Sequence, residues 1–161
     1  MKVPIIDEND NVLGYKEKAD LLPTDCHRCS AIWVTNARGD VLLAKRVMTK
    51  KTSPGVWSPP IAGTVEEGET YDSNVVKEAE EELGLKNIQP KKLFKKFRAG
   101  RHGHLTQWYA LQIETPVEEL KWSREEYDEA RWFTRKEIEE GLKERPEEFN
   151  KCTPEMLANY G

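Results

Sequence analysis

The segment "GTVEEGETYDSNVVKEAEEELGL", Gly63 to Leu85, constrains this chain most, because it joins one apolar stripe to seven glutamates. A helix advances about 100° per residue. With Val75 at zero, Val76, Ala79 and Leu83 fall between about 0° and 100°. That predicts a buried stripe on a helix from about Thr70 to Leu83, stopped by Gly84. Glu78, Glu81 and Glu82 fall at about 300°, 240° and 340° and share the flank beside the stripe, whereas Glu80 falls near 140°, across the helix. Like charges at these spacings cost about a few tenths of a kcal/mol each. Lys77 is the only base in "KEAEEE". Two readings stand: a solvated acidic face, or carboxylates gathered for a hard divalent cation.

The rest of the chain sets the context. Its 161 residues suit one domain spanning 1–161. Charged residues make up 34% and mean hydropathy is -0.77, so most of the surface is solvated. A net charge of -4 gives no bulk basic field for nucleic acid or membrane. Basic residues still cluster at Lys45 to Lys51 and at Lys91 to Arg101. No apolar run reaches membrane length, and "MKVPIIDEND" lacks the apolar core of a signal peptide. Three cysteines cannot all pair within one chain, and a reduced, cytoplasmic protein is expected. "CHRC", Cys26 to Cys29, is half of a zinc knuckle, but no second CxxC completes four ligands.

Strand and helix signals alternate. "VPIID" and "VLGYK" around "ENDN" predict an N-terminal hairpin over about 1–20. "SAIWVTN" and "VLLAKRV" predict a second strand pair turning at Gly39. "TSPGVWSPP" reads as a loop, "IAGTV" as a short strand. "KLFKKFRA", "LTQWYALQIE" and "EARWFT" follow as strands. C-terminal helices are expected over about 134–160: one capped by Thr134 with Glu137 at the third position and ended by Gly141, the other capped by Thr153 with Pro154 in its first turn. The fold class is α/β, a sandwich with a mixed central sheet.

The spacing in the opening segment, G-x5-E-x7-K-E-A-x-E-E-x-G-L, resembles the Nudix box, G-x5-E-x7-R-E-U-x-E-E-x-G-U with U aliphatic. Gly63, Glu69, Glu78, Ala79, Glu81, Glu82, Gly84 and Leu85 fit; Lys77 stands where the family has arginine. The box covers 63–85, and looser resemblance covers most of the chain. The resemblance implies a Nudix-type α/β/α sandwich. It implies a hydrolase of a nucleoside diphosphate linked to another moiety, dependent on Mg²⁺ or Mn²⁺. Carried over, Glu78, Glu81 and Glu82 are metal ligands, with the backbone at Gly63 beside them. Glu78 or a neighbour takes the proton of the attacking water. The family arginine orients a box glutamate through a forked contact, and Lys77 keeps the charge but not the fork. Gly63, Gly68, Glu69 and Gly84 are motif-structural positions. Gly68 is expected to fold Glu69 back toward the helix start. A fourth carboxylate is expected from "REEYDEARW", with Glu126 preferred over Glu125 or Asp128. A weak relative that only binds nucleotide is the non-catalytic alternative.

Within the family, "DENDNVLGYKEK", His27, "LLAKR" and "PGVW" are similar to isopentenyl diphosphate isomerases. The isomerase cysteine and metal-binding histidine flank the first box glycine; those positions are Ala62 and Thr64 here. His104 to Ile113, near the isomerase glutamates, contains no glutamate. The scaffold therefore resembles the isomerase and the catalytic set resembles the hydrolases. Candidate substrate contacts are Arg46, Lys51, Arg98 and Arg101 for phosphates and Trp57 for a base, although a tryptophan there also suits packing. The strand "GHLTQWYALQI" resembles Nudix enzymes acting on RNA 5′ ends or dinucleoside polyphosphates, the second choice of substrate. A monomer or homodimer is expected.

Overall fold

The computed structural model describes residues 1–160. Its strands are β1 (Lys2–Ile6), β2 (Val12–Glu17), β3 (His27–Thr35), β4 (Val41–Arg46), β5 (Trp57–Ser58), β6 (Ile61–Thr64), β7 (Lys91–Arg98), β8 (His104–Gln112) and β9 (Tyr127–Phe133). Its helices are α1 (Tyr71–Leu83), α2 (Arg135–Glu144) and α3 (Thr153–Tyr160).

The strands form one mixed sheet. β3 runs parallel to β8 from His27↔His104 to Thr35↔Gln112, and antiparallel to β6 from Cys29↔Thr64 to Ile32↔Ile61. β1 and β2 form the expected hairpin. β3 and β4 do not form the expected long pair, because they meet in register only at Thr35↔Val41. Beyond that corner β4 pairs with β9 and β5 instead. The sheet therefore divides, with β6 beside one branch and β5 and β9 on the other.

Side chains alternate between the two faces of each strand. Ile32, Val34, Leu42 and Tyr109 pack under Val75, Ala79 and Leu83 of α1. Ala31, Trp33, Leu43, Trp108 and Phe133 pack under Ile138 of α2 and Met156 and Leu157 of α3. The result is an α/β/α sandwich. No helix among the described residues is long and apolar enough to cross a membrane.

The helix starts follow side-chain chemistry. Thr70 accepts from the Ser73 N–H and Ser73 returns a bond to the Thr70 N–H, a reciprocal cap on α1. Thr134 and Glu137 form the expected box on α2. Gly141 does not end α2, which continues to Glu144. Gly141 is buried instead, and a Cβ there would lie 2.6 Å from Phe149 Cε2. Contact, not a stop, explains this glycine. Gly141→Ala is expected to destabilise by about 1–3 kcal/mol through overpacking, outweighing the ~1 kcal/mol that alanine gains in helix propensity. A lower unfolding midpoint checks this; an unchanged or higher one contradicts it. The last helix begins on Thr153 itself, and the Asn150 side chain accepts from the Cys152 N–H just before it.

Cys26 precedes β3 and Cys29 lies within it. Three residues of extended chain span about 10 Å and leave the two side chains on opposite faces. "CHRC" is therefore no knuckle. Burial pushes the Cys29 thiol up to about 12, which suits an inert packing residue.

Candidate active site

Helix α1 lies with Asn74, Val75, Ala79, Glu82 and Leu83 buried. Val76, expected in the stripe, is 39% exposed. The buried face is thus turned toward the carboxylates. The cause lies below it: the Ala62 N–H, at the start of β6, donates to Glu82 Oε2 at 2.9 Å, so Glu82 is drawn inward to 7% exposure. Glu78 lies over Gly63, where a Cβ would come within 2.3 Å of the Glu78 Cδ. Glu80 points away and its carboxylate stands 3.8 Å from Lys86 Nζ. Glu81 is exposed beside the inward pair, and its charge bears on Glu78. The glutamates separate by helical face.

Burial, then the charges of Glu78 and Glu126, pushes the Glu82 carboxyl up to about 9, against the opposing Ala62 hydrogen bond and Arg46. Burial and the Glu81 charge push Glu78 up to about 7. Buried carboxylates short of donors are costly to ionise. An oxygen-only acidic set of this kind suits Mg²⁺ or Mn²⁺. Among the described residues, however, no three His, Cys, Asp or Glu side chains already converge on one point as a finished metal cage.

The sign of the pH effect follows. Glu82 keeps its proton up to about 9 when folded, far above the ordinary value of 4.5. Its contribution to stability is complete below the unfolded value and is lost as pH rises through the folded one. Chelator-treated protein is expected to lose melting temperature between about pH 5 and pH 9, and Glu82→Gln to lessen that slope. Equal slopes in the two proteins would contradict the assignment.

The loop before α1 is tied by a ring of contacts. Gly68 has φ +86° and permits the turn, in which the Glu69 N–H donates to the Glu66 carbonyl at 3.0 Å. Glu69 Oε1 accepts from the Glu66 N–H at 2.8 Å and from Asn74 Nδ2 at 3.4 Å. Lys77 Nζ stands 2.6 Å from Glu66 Oε2 and 3.0 Å from Glu69 Oε2. Partial burial opposes ionisation of Glu69, but Lys77 and the Glu66 N–H hold its carboxyl below the usual range. Asn74, fully buried, also donates to the Thr64 carbonyl and accepts from Ser30. Glu66 and Asn74 escaped the sequence reading. Asn74, one residue before Val75 on the apolar stripe, was the available signal.

Glu126 arrives from a loop docked on the end of α1. The Lys121 and Ser123 N–H groups donate to the Leu83 and Glu82 carbonyls at 3.2 and 3.1 Å, and the Glu126 N–H donates to the Ser123 carbonyl at 3.2 Å. Gly84 (φ +68°) both ends the helix and leaves room for Lys121, whose Cβ would be 3.1 Å from an added Cβ. The Glu126 carboxylate takes an ion pair from Lys50 at 2.6 Å.

The cationic candidates separate. The charge of Arg46 bears on Glu82, and its Nε donates to the Thr52 carbonyl at 2.9 Å. Lys50, not the exposed Lys51, makes the ion pair in this loop. Arg98 and Arg101 are exposed, and Arg98 pairs in register with His104, beside His27, three residues along β3 from the Ser30 that pairs with Gly63. Trp57 packs edge-on to Phe133 at 4.9 Å, on the face covered by α2 and α3, with Arg131 over its ring. It serves as a packing residue there. Ala62 and Thr64 flank Gly63 and point to the face away from α1.

Comparison with known proteins agrees with this arrangement. The family model described as NUDIX domain matches residues 26–156. An uncharacterised Nudix hydrolase of Streptomyces coelicolor is 32% identical over 126 residues, covering 73% of this chain and 70% of that protein. The isopentenyl-diphosphate Delta-isomerase of Klebsiella pneumoniae is 35% identical over 85 residues; this covers 52% of this chain, and the chain spans only 46% of the isomerase. The crystal structure of DR0079 from Deinococcus radiodurans superposes with a TM-score of 0.83 over 100% of both chains at 18% identity, a likeness of fold. The chain whose acidic helix lies over Gly63 is thus a Nudix enzyme, a member of the Nudix hydrolase family.

Proposed function

We propose that this enzyme hydrolyses a pyrophosphate bond in a nucleoside diphosphate linked to another moiety, with Mg²⁺ or Mn²⁺. The observation that carries the reading is the inward pair: Glu82 buried against the start of β6 and Glu78 lying over Gly63. Glu78 and Glu82 would hold the cation, with Glu81, Glu126 and the Gly63 backbone completing the set. A divalent cation supplies charge that offsets an anionic substrate and acidifies water.

The chain's own groups do the rest. Glu78 Oε1 stands 4.0 Å from Lys77 Nζ, beyond hydrogen-bond range, and is free to accept a proton from the attacking water. Arg46, whose charge bears on Glu82 and whose Nε is held by the Thr52 carbonyl, offers its remaining guanidinium N–H groups to phosphate oxygens. Lys50 pairs with Glu126 on the loop beside it, and its ammonium adds a second positive charge. The isomerase chemistry lacks its groups, since Ala62 and Thr64 are neither acid nor base.

The test is a panel of nucleoside di- and triphosphates, nucleotide sugars, dinucleoside polyphosphates and 5′-triphosphorylated RNA, with isopentenyl diphosphate as control. Hydrolysis of a diphosphate-linked nucleoside is expected, abolished by excess EDTA and restored by Mg²⁺ or Mn²⁺. Full turnover in excess chelator, or conversion of isopentenyl to dimethylallyl diphosphate, overturns the reading.

A further inference from the structure

We propose that Glu66 is a positioning residue that holds the Lys77 ammonium away from Glu78, leaving Glu78 available to a divalent cation. The inference rests on the metal reading above. Lys77 Nζ lies among three carboxylates, at 2.6 Å from Glu66, 3.0 Å from Glu69 and 4.0 Å from Glu78. An ammonium is a compact charge with three rotatable donors, unlike the fixed plane of a guanidinium. Where it rests is decided by which carboxylates surround it. Glu69 Oε2 accepts one of its three donors at 3.0 Å, and Glu66 Oε2, at 2.6 Å, takes a second.

Glu66 is itself well placed to act as the counterweight. Its N–H and carbonyl are both engaged with Glu69, and the adjacent Glu67 N–H donates to the Lys2 carbonyl of β1 at 2.9 Å. The loop is thus anchored on both sides, and the Glu66 carboxylate is presented to Lys77 from a fixed backbone. Without its charge, Lys77 keeps Glu69 as a partner, and the donor released from Glu66 has Glu78, at 4.0 Å, as the remaining carboxylate among the three. A Lys77–Glu78 pair would place a protein cation where the divalent ion has to bind.

The experiment is a Mn²⁺ titration of metal-free protein, with free Mn²⁺ read by electron paramagnetic resonance. Glu66→Gln is expected to weaken binding by about five- to tenfold, the scale of one partly exposed ion pair redirected. Adding Lys77→Met to Glu66→Gln removes the competing ammonium and is expected to recover the native affinity to within about threefold. Glu66→Asp keeps the charge on a shorter arm and is expected to bind as the native protein does. Unchanged affinity in Glu66→Gln overturns the proposal. So does a loss that Lys77→Met does not rescue, which would make Glu66 a ligand or a loop support. An equal loss in Glu66→Asp assigns the effect to shape and also overturns it. If the native protein binds no Mn²⁺, the metal reading itself fails, a result distinct from failure of the Glu66 role.

Discussion

Glu82→Gln and Glu78→Gln are each expected to lower turnover by about 10²–10⁴-fold, the range for removing a positioned acid–base or ligand group. Glutamine keeps the size of each side chain, and its carbonyl can still accept the Ala62 N–H that holds Glu82. What it removes is the charge. Stability is expected to move the other way. Both carboxyls are pushed up, by burial first and then by neighbouring carboxylates, so an amide, which has no proton to take up on folding, avoids that cost in the metal-free fold. Each variant is therefore expected to melt at or above the parent temperature without metal. Glu81→Gln, on the solvent side, is expected to fall in or just below the same range of turnover. Glu80→Gln is expected to change turnover less than about threefold, because an exposed helix charge is worth only tenths of a kcal/mol. Steady-state kinetics beside thermal melts in chelator read both effects. If Glu80→Gln proves as damaging as Glu82→Gln, the division by helical face is wrong.

That division was legible in the sequence because it depends on helical spacing alone. Glu80 does point away, and Thr70 and Gly84 do bound the helix. The exact rotation was not legible. Hydropathy placed Val76 in the core, whereas Asn74 and Glu82 are buried there instead. Asn74 is drawn in by the Thr64 carbonyl and Ser30, and Glu82 by the Ala62 N–H, partners on β6 and β3 that helical spacing does not disclose. The division of the sheet was hidden for a similar reason. A turn at Gly39 between two apolar runs signals a hairpin, but it does not reveal that β6 and β9 take over the pairing after Thr35↔Val41. That division matters to the site, because it brings the start of β6, the end of β4 with Arg46, and Glu126 before β9 to one region under α1. Lys50 rather than Lys51 reaching Glu126 depends on the path of one loop, which adjacent identical residues cannot specify.

Gly63→Ala is expected to cost about 10²-fold in turnover while leaving the fold nearly intact. The added methyl would lie 2.3 Å from Glu78 Cδ and 2.5 Å from its Cγ and Oε1. Those atoms end a flexible side chain, so the clash is relieved by swinging Glu78 away rather than by moving β6. The backbone at Gly63 carries no positive φ, so alanine meets no strain there. Displacing a reacting or ligating group by about 1 Å is enough for a loss near 10²-fold. Gly68→Ala provides the contrast. Its φ of +86° disfavours a side chain, yet nothing lies within 4 Å of its added Cβ. It is expected to lose about 1–2 kcal/mol of stability from backbone strain and proportionately less activity. Coupling decides whether Gly63 acts through Glu78. The double variant Gly63→Ala with Glu78→Gln is expected to be little slower than Glu78→Gln alone, since both changes disable the same side chain. If the two losses multiply instead, Gly63 serves the reaction through its own backbone, independently of the room it gives Glu78.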